Sequence, residues 1–191
     1  NGVPLEEWPF TTDTGDHVAW MGRLTPEKAP HLAIQAARLA GMPIVLAGPI
    51  GDRTYVARYV RPLLGPSVTW IGHLDTPELA ALVGSARACL VTPAWEEPYG
   101  LVVSEALACG TPVVGFRRGA LPELVPEDCG VLVPPDDVAG LADGIHTAIQ
   151  LDRATCRRHA EKIGSLTVMV DRYEELYTEL TTTTADLPAR P

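Results

Sequence analysis

Six short apolar runs punctuate the chain, at about residues 17–22, 43–47, 67–71, 88–91, 112–116 and 130–133. Each is followed by longer stretches in which apolar positions recur with helical spacing, at 27–40, 54–64, 76–85, 100–109, 119–125, 137–150 and 154–179. Short β-branched runs alternating with helical segments predict a parallel sheet covered by helices on both faces, joined by right-handed crossovers. The fold class expected is a Rossmann-like three-layer α/β/α domain with a six-stranded parallel sheet. Thr25-Pro26-Glu27 and Thr76-Pro77-Glu78 each offer a cap, a first-turn proline and an early acid for a helix start, and Gly41 and Gly110 stand where helices should stop. Residues 1–16 lack any period and read as a linker, residues 17–180 as the folded domain. Residues 181–191, rich in threonine and proline, read as a disordered tail.

Composition narrows the picture. A chain of 191 residues with 46% apolar and 20% charged residues is long enough for one domain with a sizeable core. The net charge of −9 argues against nucleic acid or an anionic membrane as partner, so an anionic ligand would need a local basic pocket. No apolar run reaches membrane-spanning length and no secretory signal is visible. Cys89, Cys109, Cys129 and Cys156 form no Cys-x-x-Cys pair and read as reduced, mostly buried thiols of a cytosolic protein.

The chemistry concentrates in residues 95–114, Trp-Glu-Glu-Pro-Tyr-Gly-Leu-Val-Val-Ser-Glu-Ala-Leu-Ala-Cys-Gly-Thr-Pro-Val-Val. A strand ends at Thr92-Pro93, a loop carries Glu96 and Glu97, and a helix begins near Gly100. This puts carboxylates at the carboxyl end of a parallel strand, where open α/β sheets bind ligands. Free N–H groups of Gly100, Leu101 and Val102 at the helix start suit a phosphate. Glu105, one turn in on the same face as Leu101, suits a neutral diol such as a ribose. Arg23 and Lys28 straddle the start of the first helix, where cations oppose the dipole unless an anion arrives. Trp95 is expected to wall the site, Trp20 and Trp70 to belong to the core.

Glu97-x7-Glu105 followed by Ala-Leu-Ala-Cys-Gly-Thr-Pro-Val-Val resembles the signature of retaining glycosyltransferases of family 4, which have the two-domain GT-B fold. Val18-Ala-Trp-Met-Gly-Arg-Leu-Thr-Pro-Glu-Lys, Ile71-Gly-His-Leu, Gly119-Ala-Leu-Pro-Glu-Leu and Cys129-Gly-Val-Leu-Val extend the resemblance in register over about residues 1 to 180. The resemblance implies the donor-binding C-terminal half of such an enzyme, with residues 1–16 a remnant of the interdomain hinge and the acceptor held by a missing N-terminal domain. Arg23 and Lys28 would then neutralise the diphosphate of a nucleotide-sugar substrate, with Gly22 beside them. Gly72, His73 and Leu74 would hold the base, and Tyr99, Gly100, Leu101 and Val102 would contact the donor. Glu105 would bind ribose. Glu97, rather than its neighbour Glu96, would touch the sugar, as a hydroxyl ligand or as a stabiliser of charge at the anomeric carbon. His73 reads equally as an exposed loop histidine, and Arg117 and Arg118 as phosphate contacts or solvated charges. Ala29 departs from the glycine usual in the family after this lysine.

Neither a metal nor a tightly bound cofactor is implied: there is no Asp-x-Asp motif. No Gly-x-Gly-x-x-Gly fingerprint follows a strand, and Asp13-Thr-Gly has no second copy. Arg153, Arg157, Arg158 and Lys162 read as a solvated face or, less favoured, a membrane patch. The expected location is the cytoplasm, with contact at the inner face of a membrane only through a full-length protein. A non-catalytic nucleotide-binding module of the same fold and a sugar-nucleotide epimerase are the competing readings.

Overall fold

The computed structural model describes residues 1–185. Its sheet is six-stranded and wholly parallel: β1 (Val18–Met21), β2 (Ile44–Ala47), β3 (Val68–Trp70), β4 (Cys89–Val91), β5 (Val113–Phe116) and β6 (Gly130–Val133), in the order β3-β2-β1-β4-β5-β6. All six strands lie within the predicted runs. Alternate strand residues enter two cores, as the period of two requires. On one face Trp20, Leu46, Leu90 and Phe116 pack under α1 (Pro30–Leu39), α2 (Arg53–Tyr55) and α6 (Val138–Ala148). On the other, Met21, Cys89, Val91 and Val113 pack under α3 (Thr76–Ser85), α4 (Leu101–Ala108) and α7 (Arg153–His159). Short α5 (Leu121–Leu124) closes the β5 side, and α8 (Leu166–Ala185) runs along the outside. Strand order reverses between β1 and β4, so the crevice outside their carboxyl ends is the topological switch point of the sheet.

Several features differ from the sequence expectation. The first helix begins at Pro30, not near Glu27: Thr25 is buried, and the residue before Pro30 is Ala29 in the left-handed region (φ 44°, ψ 51°). Thr25-Pro26-Glu27 is therefore loop, since Pro30 supplies the first-turn proline instead. The third helix is capped by Asp75 rather than Thr76, in a reciprocal box with Glu78. The 54–64 stretch is not a uniform helix: α2 passes into a π-helical turn (Val56–Val60) and a 3-10 turn (Arg61–Leu63) at Pro62.

The expected helix over 154–179 is interrupted. After α7 a π-helical turn (Ala160–Gly164) ends at Ser165 in extended backbone, and α8 starts anew. The wedge is the N-terminal segment: Val3 N–H donates to the Gly164 carbonyl and Leu166 N–H to the Val3 carbonyl. Residues 1–16 are thus not a free linker. Val3 and Trp8 are 2% and 4% exposed and belong to the second core. Helix α8 continues through Ala185, past residue 181 where the tail was placed, and residues 186–191 of that tail lie outside the described residues. No helix among the described residues is long and apolar enough to cross a membrane.

The basic stripe on α7 is a staple. Arg153 donates to the carbonyls of Thr11, Gly84, Ala86 and Cys109 and to Thr111 Oγ1, at 2.6 to 3.3 Å. Arg157 donates to the carbonyls of Trp8 and Ala108 at 2.9 and 2.8 Å. Two cations thereby satisfy the carbonyl ends of α3 and α4, where the helix dipole favours positive charge. Neither is a solvated or membrane-facing charge; Arg158, beside Asp152, and Lys162 are the exposed members of the stripe. All four cysteines are buried and unpaired.

Candidate functional site

The loop after β1 and the loop after β4 meet across the switch point. Thr92, buried at the end of β4, donates its hydroxyl to the carbonyls of Lys28 and Ala29, each at 3.1 Å. The same oxygen accepts from the Trp20 indole at 3.2 Å. Ala94 N–H donates to the Glu27 carbonyl at 2.8 Å. These ties hold the turn through Ala29 and fix the direction in which Lys28 leaves the chain. Its ammonium forms an ion pair with Glu97 and lies 5.7 Å from the centre of the Trp95 ring. Trp95 donates its indole N–H to Glu97 at 3.1 Å. The Glu97 side chain is only 12% exposed, so its carboxylate is held by two donors in a partly desolvated pocket.

Glu97 is placed by the residues after β5. Ala120 N–H donates to the Glu97 carbonyl at 2.9 Å. Gly119, at φ 58°, passes so close that an added Cβ would lie 2.3 Å from that carbonyl oxygen and 2.4 Å from the Glu97 nitrogen. Glu96 is engaged elsewhere: it accepts from Gly119 N–H at 2.7 Å and lies 3.9 Å from Arg118. Arg118 also donates to the Pro93 carbonyl and approaches Asp136. Glu96 and Arg118 therefore shape the loop, while Glu97 faces the crevice. Arg117 reaches the Leu132 carbonyl at 3.4 Å.

Helix α4 starts at Leu101 after Gly100 in the left-handed region (φ 82°). No side chain caps it, so its first amides remain available to an anion. Glu105 is half-buried and makes no side-chain hydrogen bond or ion pair among the described residues. Burial pushes its carboxyl up to about 7. Burial first, and the Glu105 charge second, push the Cys89 thiol up to about 12.

Arg23 is exposed just beyond Gly22 at the end of β1. Gly22 N–H donates to the Ala47 carbonyl at 3.0 Å. Gly48, which the sequence reading did not single out, is required there: a Cβ on it would lie 1.8 Å from the Gly22 carbonyl oxygen. Gly72 receives a hydrogen bond from Gly48 N–H; exposed His73 and half-buried Leu74 follow, at the far end of the same edge. Trp70 is half-buried, its indole N–H donating to the Gly48 carbonyl at 3.0 Å, whereas Trp20 is core.

Tyr99 lies on the side of the N-terminal segment. Its hydroxyl donates to the Asn1 carbonyl at 2.6 Å, and its ring lines a cavity with Leu124, Ile163, Met169 and Tyr173. Its hydroxyl contact in this structure is with the N-terminal segment, not with Lys28 or Glu97. Thr92, which locks the two loops, was missed; the only signal was its place at a strand end. Among the described residues no group of three or more His, Cys, Asp and Glu is placed to hold a metal.

A doubly wound sheet with a basic and acidic crevice at its switch point defines a ligand-binding α/β domain. Comparison with known proteins gives the family: the family model of glycosyl transferases group 1 matches residues 10–164, and the chain belongs to that family. It is 38% identical over 173 residues to a glycogen synthase of Mycobacterium tuberculosis, covering 84% of this chain and 41% of that protein. It is also 38% identical over 152 residues to a D-inositol 3-phosphate glycosyltransferase of Mycolicibacterium paratuberculosis, covering 75% and 32%. Among solved structures, AviGT4, a glycosyltransferase involved in avilamycin A biosynthesis, superposes with a TM-score of 0.83 at 30% identity over 94% of this chain and 56% of its own. The chain spans less than half the length of the curated relatives it matches.

Proposed function

We propose that the chain is the donor-binding half of a retaining glycosyltransferase that moves a sugar from a nucleotide-diphosphate sugar to an acceptor held by a preceding domain. The observation that carries the reading is the Lys28–Glu97 pair at the switch point, below the uncapped start of α4. A diphosphate entering there meets Arg23, Lys28 and the α4 amides, all aimed at the charge that grows on the leaving group. Lys28 would then turn from Glu97 to the phosphate, freeing the carboxylate for the sugar's hydroxyls. Glu105, with no side-chain partner among the described residues, would accept from the ribose diol.

In the reaction the bond between the anomeric carbon and the phosphate oxygen breaks, its electrons leaving with the nucleoside diphosphate. The acceptor oxygen bonds to that carbon on the same face, and the acceptor's proton passes to the departing phosphate oxygen. Well-placed donors to the leaving group each contribute roughly 2.7–4 kcal/mol. An acceptor domain is supported by the apolar stripe on α8, where Leu166, Val170, Tyr173, Tyr177 and Leu180 are all at least 41% exposed. This chain alone is therefore expected to bind nucleotide weakly and to transfer no sugar, in the cytoplasm or, when full length, at the inner face of the membrane.

Calorimetric titration with UDP, GDP and ADP tests the donor site: one base should bind best, and Lys28→Ala should weaken it at least tenfold. Proton NMR of the product formed by the full-length enzyme should show the donor's anomeric configuration kept. An inverted product, or transfer by these 191 residues alone, would overturn the assignment.

A further inference from the structure

A second concavity, of about 520 Å3, opens on the sheet face that carries α1 and α2, away from α4 and Glu105. It is lined by Pro26, His31, Asp52, Thr54, Tyr55, Arg58 and Tyr59. None of these belongs to the donor crevice, although Pro26 stands in the loop between Arg23 and Lys28.

Three rings form its wall. His31 lies 5.6 Å from both Tyr55 and Tyr59 between ring centres, and the two tyrosines lie 5.5 Å apart. Tyr55 is buried, its hydroxyl 2.6 Å from His31 Nδ1, so it braces His31 and leaves Tyr59 as the open platform, 43% exposed. Tyr55 precedes the π-helical turn Val56–Val60 and Tyr59 lies within it, a distortion that recurs at functional sites. The rim is polar. Asp52 uses one carboxylate oxygen to cap α2, which leaves the other for a ligand. Arg58 lies over the Tyr59 ring, 5.3 Å from its centre, on the side that its exposed side chain can vacate, and Thr54 adds a hydroxyl.

An open aromatic platform with donors and acceptors around its edge matches a molecule with apolar C–H faces and a rim of hydroxyls. Asp52 on the rim disfavours an anion. The size falls within the usual range of ligand pockets, about 300–1,000 Å3. We propose that this concavity is a second carbohydrate site, taking a pyranose unit of a neutral glycan against Tyr59 and His31 with its hydroxyls on Asp52, Thr54 and Arg58. The site stands apart from the donor site and does not depend on its assignment. A glycan held there leans on the loop that presents Arg23 and Lys28, so it anchors a long chain close to the crevice.

The test is saturation-transfer NMR of the 191-residue chain with maltohexaose, cellohexaose and α-1,6-linked mannohexaose. At least one should bind with a dissociation constant of order 1 mM. Tyr59→Ala should weaken that binding about tenfold or more, Arg58→Ala should weaken it less, and Glu105→Ala should leave it unchanged. The exposed position of Tyr59 makes a folded variant expected, and unaltered nucleoside diphosphate binding by Tyr59→Ala checks it. The proposal is overturned if none of the three glycans saturates, if Tyr59→Ala binds as well as the parent, if a nucleoside diphosphate competes, or if glucose 6-phosphate binds more tightly than the neutral glycans.

Discussion

Replacing Glu105 with glutamine removes a carboxyl that the fold strips of water and leaves without a partner among the described residues. In the folded chain burial raises it from 4.5 to about 7. The folded state therefore holds its proton more tightly than the unfolded chain does. Below about pH 4.5 both states are protonated and the group costs nothing. As pH rises from there to about 7 the unfolded chain ionises first, and stability falls; above 7 the loss is complete. A shift of that size corresponds to about 3 kcal/mol. Glu105→Gln should match the parent near pH 4.5 and exceed its stability by up to about 3 kcal/mol at pH 8, or roughly 6–12 °C in Tm for a chain of this size. Urea unfolding of both proteins at several pH values reads the difference directly, because every other titrating group cancels. The variant should also lose nucleotide binding, because glutamine replaces an ionised acceptor of the ribose hydroxyls with a neutral one. A difference that is flat with pH, or a variant less stable at pH 8, would refute the reasoning.

Four further substitutions probe the framework. Gly119→Val must push the Glu97 backbone aside, so it should abolish nucleotide-sugar binding and lower stability by about 1–3 kcal/mol, read by calorimetry and denaturant unfolding. Arg153→Met leaves the carbonyls of Gly84 and Ala86 at the end of α3, and of Thr11, without donors, and should cost about 3 kcal/mol in a urea melt while leaving the nucleotide dissociation constant unchanged. Ala29→Gly should be better tolerated than Ala33→Gly by about 1–2 kcal/mol, because Ala29 carries left-handed strain and Ala33 none; equal losses would count against that strain.

The inner strands β1, β4 and β5 were legible because each is buried along its length and reads as an unbroken apolar run, as parallel sheets demand. The crevice was legible for the same reason: strand ends fix where Arg23, Lys28 and Glu97 emerge. What escaped depended on partners distant in sequence. The break at Ser165 comes from Val3 lying against it, and the capture of Tyr99 comes from Asn1. Arg153 and Arg157 have the spacing of a solvated face, and only the packed ends of α3 and α4 turn them inward. The pairing of Lys28 with Glu97 needs the Thr92 and Gly119 contacts, which join segments far apart in sequence. The π-helical turn carrying Tyr59 leaves no mark on the apolar period.

The central claim is that Arg23, Lys28 and Glu105 surround a nucleoside diphosphate, and thermal unfolding against UDP, GDP and ADP tests it most directly. A ligand at 100 times its dissociation constant adds about 2.7 kcal/mol to stability. One nucleotide should raise the transition of the parent chain by that amount, and Arg23→Ala and Glu105→Ala should both lose the shift. A shift that survives both substitutions would contradict the account.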